Sequence, residues 1–245
     1  HVIVVDFKSL YPTIINTFKI DPLSNLLKDV DPLTTPSGHQ FSRTEHILPD
    51  FIEALLAKRK IAKDQQNTHL SQAIKILMNS FYGVMGSGGS RFYNSDLPSA
   101  ITETGQWILR QTIDHLTKEG YQVLYGDTDS IFYKLKAVEV TDPFEKGSLR
   151  AKRLNEFLTE LLSNQFKVDS HLEIEFETYY KRFYLSPVRG GVMGAKKKYA
   201  GLILNRSGQE EMEFKGLEVV RSDWTKLAKK FQYELFEKLF HDQDI

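Results

Sequence analysis

Between Tyr121 and Leu135 the chain reads YQVLYGDTDSIFYKL, and no other stretch limits the fold as strongly. Two apolar, aromatic-rich runs of strand length flank a short polar turn, the pattern of a β-hairpin. The tip of that hairpin carries Asp127 and Asp129. Two carboxylates this close repel, and apolar strands around them make the repulsion worse unless a positive group is near. The stretch therefore calls for a sheet on either side and a cation at its end. An EF-hand loop is excluded: the fifth position of that pattern falls on Ile131, and its glycine is missing.

A partner strand is visible at the start. HVIVVDF is a nearly continuous β-branched run, as expected of a strand buried on both faces, and it ends at Asp6. KSLYPTIINTF follows as a helix with Pro12 in its first turn. From Asp21 to Gly38 the Pro, Asp, Ser and Thr content predicts an irregular connection. PDFIEALLAKRKIAKDQQN and LSQAIKILMNSFYGVMG each repeat apolar residues at helical spacing, and the link NTHLS makes them an antiparallel helical hairpin. Further helices are predicted over Leu97–Glu119, stopped by Gly120, and over Leu149–Asn164. HLEIEFETYY reads as a strand, and KRFYLSPVRGGVMGAKKKYAGLILN as more sheet around a glycine-rich turn. The expected class is α+β, with one all-helical insertion.

At 245 residues the chain can form one large domain or two modest ones. Lys plus Arg equal Asp plus Glu, 32 against 32, so net charge does not point to a polyanionic partner and local charge has to decide. The absence of cysteine excludes a disulfide scaffold, thiolate zinc sites and cysteine nucleophiles. No apolar run approaches membrane-spanning length, and no signal-peptide pattern is present. The chain opens without methionine inside a strand, so it is expected to be a fragment of something longer.

Three constellations carry chemistry. If the strand ending at Asp6 lies beside the hairpin, Asp6, Asp127 and Asp129 converge, a set suited to Mg²⁺, which prefers a few carboxylates plus substrate phosphates. A solvated Asp-rich turn is the bland alternative at this point. After Asp6, the backbone amides of Lys8, Ser9 and Leu10 precede a helix, where phosphate oxygens bind, and Tyr11 can wall the same pocket. In the helical hairpin, Arg59 and Lys63 are four residues apart, as are Lys75 and Asn79, with Tyr82 and Gly83 one turn further on. Such cations are usually a solvated face, but Asn79, Tyr82 and Gly83 beside Lys75 suit a flat ligand. Last, Lys181, Arg182, Arg189 and Lys196–Lys198 form a basic run interleaved with Tyr199 and no acid, a composition that fits a nucleic-acid backbone. Glu173, Glu175 and Glu177 alternate with apolar residues and read, for at least two of them, as the polar outer face of a strand.

In order along the chain, DFKSLYPTII, KILMNSFYG, YGDTDS and KKKY resemble the A, B and C motifs and the lysine-rich primer-binding motif of family B DNA polymerases. The resemblance covers nearly the whole chain. FKGLEVVRSDW and KILMNSFYGVMG are most similar to the bacterial DNA polymerase II branch of that family.

The resemblance implies a polymerase palm, an antiparallel sheet backed by helices, with an inserted antiparallel helical fingers hairpin. Residues 1–40 would form the first part of the palm, 41–95 the fingers, 96–216 the second part of the palm and 217–245 the start of the thumb. An exonuclease domain and most of the thumb would lie outside this chain. The implied activity is template-directed addition of deoxyribonucleotides to a primer 3′-hydroxyl, in replication or repair, with two Mg²⁺ ions and Mn²⁺ as a substitute. Asp6 and Asp129 match the metal-binding aspartates and Asp127 the third acid of the site. Ser9 and Leu10 match triphosphate contacts, and Tyr11 the steric gate that excludes a 2′-hydroxyl. Arg59, Lys63 and Lys75 match the triphosphate ligands of the fingers, and Asn79 and Tyr82 residues lining the nascent base pair. Lys197, Lys198 and Tyr199 match residues that touch the primer end. The implied partners are primer–template DNA, deoxyribonucleoside triphosphates and, through regions outside this chain, a sliding clamp. No membrane is implied, and the setting would be a bacterial cytoplasm, at the nucleoid.

Two positions depart from the family pattern. Thr13 stands where serine is usual, and Lys198 where arginine is usual, which keeps the charge but loses the planar fork. Two rival readings remain: the isolated chain as an inactive DNA- or nucleotide-binding piece, and a palm-type reverse transcriptase or RNA polymerase. The latter families usually carry adjacent aspartates, whereas Thr128 intervenes here. A two-metal nuclease would have no use for the Lys75, Asn79 and Tyr82 face.

Overall fold

The computed structural model describes residues 1–27, 30–187 and 194–243. Arg189, the glycine-rich turn through Gly190 and Gly191, and the side chain of Lys196 lie outside the described residues. The class is mixed α+β. In chain order the elements are β1 (Val2–Phe7), α1 (Leu10–Phe18), α2 (Pro22–Leu26), β2 (Leu33–Thr34), β3 (Gln40–Phe41) and α3 (Leu48–Asp64). Then follow α4 (Thr68–Met85), α5 (Asp96–Lys118), β4 (Gln122–Asp127), β5 (Ser130–Lys134) and α6 (Pro143–Phe166). β6 (Ile174–Pro187), β7 (Gly194–Leu204), β8 (Glu210–Lys215) and α7 (Lys226–Phe240) complete the chain. It divides into two compact units: His1–Asp6, Ile113–Lys152 and Glu175–Ile245 form the first, Phe7–Thr112 and Arg153–Ile174 the second.

The first unit is built on a six-stranded sheet in the order β4-β5-β1-β6-β7-β8. The pairs β4–β5, β5–β1, β6–β7 and β7–β8 are antiparallel. β1 is buried on both faces, as its composition requires, with Ile3, Val4 and Val5 at most 1% exposed. Each such side chain contributes on the order of 1.5–3 kcal/mol. Val2 and Val4, on one face, pack with Tyr125, Phe132, Tyr180 and Tyr199. The Tyr199 ring lies 5.3 Å from both Phe132 and Phe183. Gly201 makes room for this cluster, since a Cβ there would collide with the Tyr180 ring. α7 closes the far end of the sheet with Phe236 and Phe240 against Ala200, Leu202 and Phe214.

The second unit is mainly helical. α1 is buried at every residue except Tyr11, and α3 and α4 pair as the expected hairpin around Leu55, Ile74 and Met78. The link is shorter than NTHLS: Thr68 already belongs to α4, because the Asn67 side chain accepts the Leu70 N–H at 3.0 Å and caps the helix. The segment from Asp21 is more ordered than its composition predicts. Asp21, 3% exposed, accepts the N–H groups of Leu23 and Ser24 at the start of α2 and that of Leu48 at the start of α3. One carboxylate caps two helices.

α6 also begins earlier than predicted, at Pro143 instead of Leu149. Asp142 caps it, accepting the Glu145 N–H at 3.1 Å. Gly147, inside α6, is a packing residue: a Cβ there would run into the Phe176 ring.

Candidate active site

The sheet register places the acids of the first unit. In β1–β5, Asp6 lies opposite Ser130; in β4–β5, Asp127 lies opposite the same Ser130. Directly opposed residues of antiparallel strands project to one face. Asp6 and Asp127 therefore flank Ser130 in a single row, on the face that carries the aromatic cluster. Thr128 and Asp129 form the adjoining turn, where Thr128 takes a left-handed φ of 52°. The turn is tight: the Asp129 N–H donates to the Asp127 carbonyl at 2.6 Å. Among the described residues no three acidic or histidine side chains stand close enough to form a ready-made metal cage. The row sets Asp6 and Asp127 on one face, on the two strands that flank Ser130, and Asp129 stands at the turn next to it.

The donor set nonetheless fits a hard divalent cation, being carboxylate oxygen alone. A cation already stands at one acid: the Lys197 ammonium lies 3.3 Å from Asp127 Oδ2. Negative charge at Asp129 is felt across the site. Glu177 is exposed by area, yet partial burial of its carboxyl raises its pKa, and Glu213, Asp129 and Glu175 add to the rise. Alternation sets Glu177 on one strand face with Glu173 and Glu175 and reads at least two of the three as polar and outward; the relation of Glu177 to Asp129 depends on how β6 is threaded, which alternation does not reveal.

Lys197 is held by its backbone. Its N–H donates to the Tyr125 hydroxyl at 2.6 Å, and its φ is 56°, unusual for lysine. Its carbonyl passes so close to Gly216 that a Cβ there would collide with it. Tyr125, Asp127, Ser130, Lys197, Tyr199 and Gly216 share the lining of a cleft of about 380 Å³. Lys198 turns to Glu218, with 3.0 Å between Nζ and Oε1. Hydrogen bonding from Gln232 first, and from Lys198 as well, holds the Glu218 carboxyl down at about 2. Tyr199 is 9% exposed, and burial pushes its hydroxyl up to about 12, so its ring is a core element as well as part of the cleft wall.

In the second unit the turn before α1 is unusual. Ser9 occupies the N-cap position with φ 51° and ψ 49°, and its side chain makes no capping bond. The hydroxyl accepts from Arg59 Nη1 at 2.8 Å instead. The Lys8 amide, one of three expected to meet phosphate, donates to the Glu173 carbonyl at 2.8 Å. Among the described residues no loop or cap bond engages the amides of Ser9 and Leu10, which a helix start provides with no acceptor of its own. Lys8, Ser9, Arg59, Lys60, Lys63 and Glu173 are among the residues lining a cleft of about 700 Å³. Arg59 Nε is buried there with no hydrogen-bond partner among the described residues. Such a cleft can take a polyanion.

The Tyr11 ring meets the Tyr82 ring of α4, with centroids 4.9 Å apart and planes inclined at 41°. Two residues distant in sequence are thus brought together. Lys75, Asn79 and Gly83 share an exposed face of α4 and stand outside the cleft that Arg59 and Lys63 line. Tyr125 is a site residue that sequence reading passes over, and the pairing of Lys8 with Glu173 is a second feature it does not give. Tyr125 stood in the opening hairpin, two residues before Asp127, but reads there as an ordinary strand aromatic.

The sequence model "DNA polymerase family B" matches residues 1–245. DNA polymerase II of Escherichia coli (strain K12) is 43% identical over 99% of this chain and 31% of its own length. A DNA polymerase of Thermococcus gorgonarius is 30% identical over 100% of the chain and again 31% of its length. The chain thus spans about a third of these relatives. The family B DNA polymerase structure from Pyrobaculum calidifontis matches with a TM-score of 0.64 at 23% identity, covering all of this chain and 30% of that one, a likeness of fold. The family match over every residue, together with these relatives, means that the chain belongs to the family B DNA polymerases.

Proposed function

We propose that the chain is the catalytic core of a DNA polymerase II-like enzyme, which adds deoxyribonucleotides to a primer 3′-hydroxyl under direction of a template. The observation that carries this reading is the row Asp6–Ser130–Asp127 with Asp129 at the adjoining turn. In this reading residues 1–40 and 96–216 are palm, 41–95 fingers and 217–245 the start of the thumb.

Asp6 and Asp129 would hold two magnesium ions, with Asp127 beside them. Bound there, the ions supply Lewis-acid charge to the primer hydroxyl and the triphosphate. The rest falls to the chain's own groups. Arg59, Lys63 and Lys75 offset the triphosphate charge, and the Ser9 and Leu10 amides orient its oxygens. Tyr11, braced by Tyr82, closes the space beneath the sugar, while Asn79 and Tyr82 face the new base pair. Lys197 and Lys198 bind the primer backbone, and Tyr199 supports them from the aromatic cluster. Catalysis of this kind is largely positioning and electrostatics.

The test is Asp129→Ala in the full-length protein. Primer extension falls by at least the ~10²–10³-fold typical of one lost electrostatic group, while primer–template affinity persists. Near-normal extension by that variant would remove Asp129 from the chemistry and this reading with it.

A further inference from the structure

The turn joining β1 to α1 is held in place by groups far away in the chain. Ser9 keeps a left-handed conformation without being glycine and without capping α1. Such a backbone persists only where its surroundings over-determine it. Three anchors do so inside the second unit. Arg59 Nη1 donates to the Ser9 hydroxyl at 2.8 Å, and the Thr13 N–H donates to the Ser9 carbonyl at 3.0 Å. The third anchor is double and comes from one residue. Glu173 accepts the Lys8 N–H on its carbonyl at 2.8 Å and the Lys8 ammonium on Oε1 at 2.6 Å.

We infer that Glu173 is a positioning residue for nucleotide addition, acting through Lys8. By fixing Lys8 at backbone and side chain it holds the turn at Ser9, which lines the cleft together with Arg59, Lys60 and Lys63, and so sets the direction of the next two amides, those of Ser9 and Leu10. The ligand that gains is the phosphate chain of the incoming nucleoside triphosphate. Glu173 is not a ligand itself, because its charge has the wrong sign for phosphate. Its effect is on where the donors point. The inference rests on the polymerase reading above.

A surface ion pair with no such role would leave nucleotide binding unchanged, and this separates the two. The experiment uses the full-length protein with Glu173→Gln, which keeps the shape and removes the charge. Binding of a deoxyribonucleoside triphosphate is measured on a primer–template whose primer ends in a dideoxynucleotide, and KM and kcat on an extendable primer. Exposed pairs are modest in effect, so the expected loss in nucleotide affinity is about three- to fivefold, falling on KM more than on kcat. Primer–template affinity keeps its wild-type value, and Glu173→Asp, which retains the charge, recovers most of the loss. The double variant Lys8→Met/Glu173→Gln is no weaker than Lys8→Met alone, because the two residues act as one unit. Unchanged nucleotide affinity in Glu173→Gln, additive losses in the double variant, or a parallel fall in kcat and melting temperature would each overturn the inference. If the wild-type protein extends no primer, the polymerase reading itself fails and takes this inference with it.

Discussion

The Lys197 ammonium stands 3.3 Å from the Asp127 carboxylate, on a backbone that the Tyr125 hydroxyl fixes by accepting the Lys197 N–H at 2.6 Å. A lysine matched to primer binding is thus tied to an acid matched to metal binding. The Lys197 side chain is 71% exposed, so the pair adds little to stability. Lys197→Met should therefore shift the melting temperature by no more than a degree or two on the usual scaling. Its primer–template affinity should fall, and the dependence of log K on log[salt] should flatten by about 0.9, the value of one lost phosphate contact. A salt slope equal to wild type would take Lys197 away from DNA.

Gly216 makes the Lys197 conformation possible. Its φ is +62°, and a Cβ would meet the Lys197 carbonyl oxygen. Gly216→Ala combines a disfavoured backbone with a backbone collision, which no side-chain rotation relieves. The expected cost is roughly 2–3 kcal/mol, read from urea unfolding. A change below about 0.5 kcal/mol, the range of neutral surface substitutions, would mean that the strand moves aside without strain.

Much of this architecture was legible in the sequence, because its strongest signals are local. The β-branched run of β1, the hairpin around Asp127 and the paired periodicities of α3 and α4 each follow from nearest-neighbour chemistry. The row of Asp6 and Asp127 across Ser130 needed only β1 set beside the β4–β5 hairpin, three recognisable strands in two pairings. What escaped depends on contacts between distant residues. The first turns of α6 include Gly147, whose place there depends on the Phe176 ring packed against it, far along the chain. Asp21 followed by Pro22 carries a capping signal, yet nothing local says that the same carboxylate also serves α3. Lys8 offered an amide to phosphate on paper; Glu173 takes it in the folded chain. Tyr199 stands in a basic run whose composition fits a nucleic-acid backbone, and nothing local says that the cluster of Tyr125, Phe132 and Tyr180 buries it.

The network around Glu218 gives a pH signature. Gln232 donates to Glu218 Oε2 at 2.7 Å and Lys198 to Oε1 at 3.0 Å, and the folded pKa is lowered from 4.5 to about 2. A carboxyl with a depressed folded pKa adds stability that is complete above its unfolded value and fades as pH falls towards the folded one. The stabilising contribution should thus hold above about 4.5 and shrink between there and about 2. Melting temperatures of wild type and Glu218→Gln, compared from pH 6 to pH 3, should converge on acidification. A constant gap would mean that Glu218 does not titrate with folding.

The Glu177 carboxyl reports on Asp129. Burial raises its pKa most, with Glu213 and then Asp129 adding to the effect. Asp129→Asn removes one negative neighbour, so the Glu177 pKa should fall towards its ordinary value. Added magnesium should shift it in the same direction, since a cation beside Asp129 offsets the same charge. Carbon-detected NMR titration of Glu177 reads both changes without any need for catalysis. If neither moves it, Asp129 is electrostatically remote from β6 and the ion has no place there.

Tyr11 and Tyr82 are in ring contact, with centroids 4.9 Å apart, so sugar discrimination should depend on both. In the polymerase reading Tyr11 is the wall beneath the sugar, and removing it with Tyr11→Ala should open space for a 2′-hydroxyl. The ratio of kcat/KM for deoxyribonucleotides over ribonucleotides should drop by at least tenfold, equivalent to about 1.4 kcal/mol of lost discrimination. Tyr82→Ala leaves the wall present but unbraced, and its drop should be smaller. Tyr11→Phe keeps the ring and its packing, so its ratio should remain near wild type. Discrimination that survives Tyr11→Ala would show that another group guards the 2′ position.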